Sequence, residues 1–464
     1  PGSSGARVAA PATALALVLF AVFAVSPPDP RITNGGGYLY GAEMARSIRD
    51  KDTILMFEEG PMTSVLVTDF EGKVYLRVDG KVDATSEGDM GTQLGLAYFP
   101  RFLRPDARDV CVIGYGSGST AGASCLFPGS SVACCEIEPA VYDANRFFAS
   151  VNHDPTQRDN FEIVMDDGRS YLQATDRTFD LIISEPSNPW MPGIANLFTR
   201  EYYESARDKL NPGGMIAQWV QVYDFELSEY ALIARTLQSV FPHVALMRVH
   251  GLDTVLLASE EPIVATPDVL DRAQAAVASL PAVQQDLVKT YGTADVRSLY
   301  LQHWYLDSDG MRRLAARDGG DGLNTDGNMR LAFDAPRRIF RDRRVVGLPE
   351  MDRHIVSSTG PEWFEQLFRT MGGGRAQLGA LVQVATQFRD YGRVADAKRL
   401  IDMALAIAPN DPSLIGERVI MVLSADAAAD PETWRHFDAM PFEPATRVGV
   451  RMWETKAYPS AVAV

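Results

Sequence analysis

The sequence predicts an α/β protein: a doubly wound parallel sheet, preceded by a small antiparallel β unit and followed by an α-helical region. Three observations carry this. Five apolar strand patterns (Asp109–Tyr115, Ser130–Glu138, Asn160–Gly168, Phe179–Pro186 and Gly213–Gln221) alternate with helical stretches. A glycine run, Gly114-Tyr115-Gly116-Ser117-Gly118, follows the first strand and opens a helix. Acidic residues, Glu136 and Asp167, stand at the ends of the second and third. Strands separated by helices pair in parallel with helices on both faces, which is a Rossmann-type arrangement over residues of about 108–222.

The remaining elements follow in chain order. Val8–Val25 is an 18-residue run without charge, the lower limit for crossing a bilayer. A signal sequence cleaved near Ala24–Ser26 has much the same apolar core, and a soluble helix would need a polar face that this run lacks. A transmembrane helix with its linker is therefore expected over 1–34, the linker running from Ser26-Pro27-Pro28 to Gly35-Gly36-Gly37. Over 35–98 the alternating segments Thr53–Phe57, Ser64–Thr68 and Lys73–Val78 predict β-hairpins, and 89–102 looks helical. The Rossmann-type domain occupies 99–262, and 263–345 forms a mainly helical continuation that closes on Leu323-Asn324-Thr325-Asp326. The tail, 346–464, reads as helix–turn–helix and resembles a single tetratricopeptide repeat. Stable stacks need about three repeats, so it is expected to pack on the body or to dock a protein partner.

Bulk properties narrow the function. A chain of 464 residues exceeds the usual size of one core, and its 46% apolar and 22% charged content is that of a folded protein. The net charge of -16 and the lack of a basic run argue against a nucleic-acid partner and suit a cationic ligand. The four cysteines, Cys111, Cys125, Cys134 and Cys135, lie in the Rossmann-type segment and have no disulfide-framework spacing. They read as buried thiols in a reducing compartment, which places the domain on the cytoplasmic face of the expected membrane anchor.

The chemistry-bearing residues converge on an adenosyl site. Gly114, Gly116 and Gly118 let the backbone turn tightly and approach a ligand. Glu136, 20 residues after Gly116, is placed to accept ribose hydroxyls, and Asp167-Gly168 to meet the adenine amino group. A solvated strand end is the plainer reading of Glu136, but its strand is otherwise apolar.

Ser184-Glu185-Pro186-Ser187-Asn188-Pro189-Trp190 at the fourth strand end resembles the Asp-Ser-Ser/Thr-Asp-Pro motif of the spermidine synthases. Leu197-Phe198-Thr199-Arg200-Glu201-Tyr202-Tyr203, Asn211-Pro212-Gly213-Gly214 and Gln218 fit the same family. Upstream, Asp79-Gly80-Lys81-Val82-Asp83-Ala84-Thr85 aligns with its Asp-Gly-x-x-Gln-x-Thr stretch and continues to Asp89 and Gln93. The resemblance covers residues of about 50–345 and is similar to a membrane-fused branch of the family. It implies a class I methyltransferase-like fold, homo-oligomers, and aminopropyl transfer from decarboxylated S-adenosylmethionine to a polyamine-type amine, without a metal. It further implies Glu185 as the base that activates the amine, or as the carboxylate that positions it for loss of its proton to water, Asp83, Asp89, Gln93, Asn188 and Gln218 as acceptor-binding residues, and Gly114, Gly116, Ser117, Gly118, Glu136, Asp167 and Gly168 as donor-binding residues. For Asp83 and Asp89 a turn or helix-cap role is the equal alternative.

Four departures qualify what is carried over. Ser117 stands where the family has an Asp that meets the donor amine, and Thr92 where it has an amine-site Tyr. Val249-His250-Gly251 replaces a Tyr-Pro-x-Gly loop, and Glu185 and Asn188 replace two Asp residues. His250 is a candidate acid or base, though a lone loop histidine is more often a surface residue. The alternatives are therefore S-adenosylmethionine-dependent methyl or aminocarboxypropyl transfer, and a non-catalytic nucleoside or polyamine sensor.

Overall fold

The computed structural model describes residues 28–336 and 348–423, apart from Pro192, Asp224, Gly251, Leu252 and Pro361. The chain divides into two compact units at Thr85/Ser86.

In the first unit β1 (Thr53–Glu59), β2 (Ser64–Phe70), β3 (Lys73–Val78) and β4 (Lys81–Thr85) form an antiparallel meander in that order. Its two tightest turns are dictated locally. Glu71-Gly72 and Asp79-Gly80 each place both central residues at positive φ (53° and 81°, 48° and 82°), the twist that a two-residue hairpin requires. Asp52 accepts hydrogen bonds from Thr68 (2.8 Å) and Arg77 (3.2 Å), so the buried guanidinium of Arg77 is paired. The helix Gly37–Lys51, absent from the sequence expectation, is kinked at Gly41 (φ 85°), which interrupts its apolar periodicity.

The second unit is built on an eight-stranded sheet. Its strands are β5 (Asp109–Ile113), β6 (Ser131–Glu136), β7 (Phe161–Met165), β8 (Phe179–Ser184), β9 (Leu210–Gln221), β10 (His243–His250), β11 (Asp253–Ser259) and β12 (Trp304–Leu306). The order is β12-β10-β11-β9-β8-β5-β6-β7. β5 to β9 pair in parallel, whereas β11 runs antiparallel to both β9 and β10. This is the class I methyltransferase-like arrangement, with one added antiparallel edge strand. The five expected parallel strands are all present; β10, β11 and β12 extend the sheet beyond them. The order reverses between β5 and β8, and at such a switch point the strand ends open a crevice for ligands.

Side-chain alternation assigns the two faces. Asp253 bonds Thr92 in the helix Met90–Leu103, while its neighbour Thr254 bonds Tyr230 in the helix Leu227–Gln238. Strand side chains alternate between faces, so the two helices cover opposite sides of the sheet. The core strands are dry: Cys111, Val112, Cys134 and Ile182 are fully buried. Burial pushes the Cys125 thiol up to about 12 and holds that of Cys134 well above its ordinary value, so these thiols are packing groups.

The C-terminal region is helical, with Leu378–Asp390, Val394–Ile407 and Pro412–Leu423 in succession. It is tied to the body by Gln377 donating to Asp295 (2.9 Å) and by Arg248 of β10 donating to Asp352 (3.0 Å). Its tetratricopeptide character rests on the sequence pattern alone. The membrane expectation is corrected: no helix among the described residues is long and apolar enough to cross a membrane. The Val8–Val25 run that prompted it lies outside the described residues.

Candidate active site at the strand ends

The glycine loop after β5 is shaped by close approach. Gly114 has a φ of 94°, and a Cβ there would lie 2.4 Å from the Glu185 carbonyl oxygen, so no other residue fits without moving the chain. Gly118 (φ 82°) ends the loop, and a Cβ on it would meet the Tyr115 hydroxyl at 2.7 Å. Glu136 faces this loop. Its Oε2 accepts from the Tyr115 N–H, and its Oε1 from the N–H groups of Ile137 and Glu138, all at 2.9 Å. Three backbone donors thus hold one buried carboxylate in a fixed orientation beside the glycines. At the end of β7, Asp167 caps the helix Gly168–Ala174, accepting from the Ser170 N–H at 2.8 Å. Gly168 packs against Ile113, whose Cγ2 would lie 2.5 Å from an added Cβ. The donor-side candidates Gly114, Gly116, Gly118, Glu136, Asp167 and Gly168 therefore sit on three neighbouring strand ends.

Glu185 follows β8 on the face covered by the helices Met90–Leu103 and Ser119–Cys125. Burial pushes its carboxyl up to about 8; Asp89 and Asp253 add to the rise, while the Thr120 hydrogen bond opposes it. Thr120 Oγ1 lies 2.5 Å from Glu185 Oε2 and 3.0 Å from the Gln93 carbonyl oxygen. A hydroxyl has one proton, and the carbonyl can only accept. When Glu185 is protonated it donates to Thr120, which donates to Gln93; when ionised, it accepts the Thr120 hydrogen bond instead. The pair can therefore hold or release a proton with almost no movement of heavy atoms.

Ser117 is fully enclosed, its hydroxyl bonded to the Gln93 side chain and 2.7 Å from the Ser119 hydroxyl. Asn188 is also fully buried and donates to the Tyr223 hydroxyl at 3.3 Å, while its Oδ1 has no hydrogen-bond partner among the described residues. Asp89 precedes the helix Met90–Leu103, and its carbonyl receives the N–H groups of Thr92 (2.9 Å) and Gln93 (3.2 Å).

Asp83, Gln218 and His250 are the remaining candidates. Asp83 belongs to the first unit, where it is ion-paired with Lys81 on its own strand. Gln218 is paired with Ser184 and Leu256, which turns it to the opposite face, and it donates to the Trp219 carbonyl at 3.1 Å. His250 ends β10, and its side chain lies outside the described residues. Two residues that the sequence reading passed over share the Glu185 face: Asp253, and its register partner Gln221. Asp253 accepts from Thr92 Oγ1 at 2.7 Å, and Gln221 is fully buried at the end of β9. Their signal was the Val249-His250-Gly251 departure, two residues before Asp253. Among the described residues there is no cluster of His, Cys, Asp or Glu arranged to hold a metal.

Comparison with known proteins bears on this region. Residues 91–251 match the family model of the spermine/spermidine synthase domain. A spermidine synthase of Dictyostelium discoideum is 27% identical over 202 residues, 42% of this chain and 68% of that protein. A polyamine aminopropyltransferase of Escherichia fergusonii is 31% identical over 170 residues, 35% of this chain. The chain spans 58% of the length of that relative. The crystal structure of a spermidine synthase from Thermotoga maritima superposes with a TM-score of 0.43 at 21% identity, covering 50% of this chain and 87% of the other.

Proposed function

From a segment that matches the spermine/spermidine synthase domain, we propose that this protein transfers an aminopropyl group from decarboxylated S-adenosylmethionine to a polyamine-type amine. The observation that carries the reading is Glu185: a carboxyl raised to about 8 chiefly by burial, hydrogen-bonded to Thr120, in the field of Asp89 and Asp253. Both substrates of such a reaction are cations, and three carboxylates at one crevice offset their charge. Gly114 to Gly118, Glu136 and Asp167 hold the nucleoside by backbone approach and by acceptors for its hydroxyls and amino group.

The chemistry needs position and one proton acceptor. The acceptor nitrogen attacks the propyl carbon bonded to sulfur; the C–N bond forms, the C–S bond breaks, and sulfur keeps the pair as a neutral thioether. An ammonium has no lone pair, so its proton must leave first, and Glu185 takes it. Binding two cations beside Glu185 draws its pKa down, so the base is generated by the substrates themselves. Gln93, tied to Ser117 on the donor side and to Thr120 by its carbonyl, couples the two halves.

The test is incubation with decarboxylated S-adenosylmethionine and a panel of amines, read by mass spectrometry. Methylthioadenosine with an aminopropylated amine is the expected result; neither product with any amine sinks the reading. Ser117, a neutral hydroxyl on the donor side, favours a second reading in which S-adenosylmethionine itself is the donor. Calorimetry with the two donors separates them, since tight binding of the carboxylated form alone supports the second.

A further inference from the structure

Resting on the transferase reading, we infer that Asp253, positioned by Thr92 and flanked by the buried amide of Gln221, is the residue that selects the acceptor by taking its second, non-reacting ammonium. The placement comes from one helix. Thr92 and Gln93 are successive residues in the first turn of Met90–Leu103. Thr92 bonds Asp253 at 2.7 Å; the Gln93 carbonyl lies 3.0 Å from Thr120, which reaches Glu185. The two carboxylates are therefore suspended from adjacent rungs of the same helix, one on each side of β9.

The sheet supplies the spacing. Glu185 follows β8 and Asp253 begins β11, the two strands that flank β9. In register Glu185 stands level with Trp219 and Asp253 with Gln221, two residues further along β9, so two interstrand spacings and two residues of rise set their backbones roughly 12 Å apart, a gap that the two side chains span in part. That separation suits a flexible diamine with one nitrogen at each carboxylate, and leaves a monoamine one pole short.

Gln221 is the independent sign that a ligand belongs there. It is fully buried, and neither Nε2 nor Oε1 has a hydrogen-bond partner among the described residues. Directly paired residues of antiparallel strands project to the same face with Cβ atoms about 5 Å apart, so this amide lies beside the Asp253 carboxylate. A buried amide with both ends unmet is costly unless something polar meets it. An ammonium donating to Asp253 and to Gln221 Oε1 would do so. Thr92 already spends its proton on Asp253, which fixes the carboxylate without neutralising it.

The experiment compares the wild type, D253N and T92V with 1,4-diaminobutane, 4-aminobutanol and butylamine. It measures turnover with decarboxylated S-adenosylmethionine and equilibrium amine binding in the presence of methylthioadenosine. Loss of a charge-assisted contact is worth about 10- to 100-fold. The diamine is expected to show a KM and Kd raised by that factor in D253N with a much smaller change in kcat, while butylamine is nearly unaffected. T92V, which keeps the charge but removes the Thr92 hydroxyl that helps to hold it, should give an intermediate loss. Wild-type preference for the diamine that survives unchanged in D253N overturns the inference and leaves the transferase reading standing. If the wild type turns over no amine, the transferase reading falls and binding decides: diamine Kd weakened at least tenfold in D253N supports the assignment, and equal Kd overturns it.

Discussion

Replacing Glu185 by Gln should make the protein more stable, and by an amount that depends on pH. The carboxyl is raised from 4.5 to about 8, chiefly by burial, so the native state binds its proton more tightly than the unfolded chain does. For a group shifted upward, the proton-linked stability is present below the unfolded value and is lost as pH rises towards the folded one. Between pH 5 and pH 8 a shift of this size removes about 3 to 4 kcal/mol from the wild type, at 1.36 kcal/mol per unit. The amide of E185Q has nearly the same shape, can still bond Thr120, and does not titrate. Its advantage over the wild type should therefore grow from below 1 kcal/mol near pH 5 to several kcal/mol near pH 8, then level off. Parallel urea denaturation at pH 5, 6.5 and 8, followed by tryptophan fluorescence, measures the difference. Wild type and variant running parallel across that range would refute the claim that Glu185 is held neutral by its surroundings. Activity moves the other way: turnover should fall at least a hundredfold in E185Q at every pH, since general-base assistance contributes about 10²–10⁴.

Three further outcomes follow from the same geometry. The Thr120 hydrogen bond lowers the Glu185 pKa, so T120V should shift the acid limb of the kcat/KM profile to higher pH, with T120S restoring it. Donor affinity, measured by calorimetry, should rise between pH 6.5 and 8 with proton release, because a cation favours the ionised carboxylate, and E185Q should flatten the dependence. G114A, with a φ of 94° and a Cβ 2.4 Å from the Glu185 carbonyl oxygen, should lower stability by about 2 kcal/mol or more and abolish nucleoside binding, as urea titration and calorimetry would show.

The legible part of this fold was the part in which local pattern and tertiary role coincide. Buried parallel strands read as continuous apolar runs, and β5, β6, β8 and β9 appear where such runs occur, with β7 as the half-exposed edge. The glycine loop was legible because positive φ and close approach leave little choice but glycine at Gly114 and Gly118. β10 and β11 escaped because His250-Gly251-Leu252-Asp253 lacks an Asn-Gly or Asp-Gly hairpin signal between them. The helix Gly37–Lys51 escaped because Gly37 and Gly41 depress its propensity. Among the candidates, the sequence pattern singled out residues attached to strand ends, whereas Asp253 and Gln221 on the Glu185 face carried no such pattern. Gln218 and Gln221 are indistinguishable as buried strand glutamines; which of them shares the Glu185 face depends on register, and register is set by partners distant in sequence.

Register also explains how the site keeps its charge while departing from the spermidine synthase motif that it resembles. Asn188 is fully buried a few residues from Glu185, whose own carboxyl already resists ionisation. A second carboxylate at 188 would be desolvated as completely and would repel the first, pushing both towards the neutral form. With an amide there, bonded to Tyr223, Glu185 remains the one carboxyl of this loop that titrates near neutrality. The second negative charge then has to come from elsewhere, and Asp253, at the start of β11 on the same face, is placed to supply it. Placed across β9 from Glu185 and held by Thr92, it can attract a remote ammonium. Moving the Asn188 charge back should therefore be harmful: N188D is expected to raise the Glu185 pKa further and to slow turnover at neutral pH. A pH profile whose acid limb does not move in N188D would defeat this account of why the motif changed.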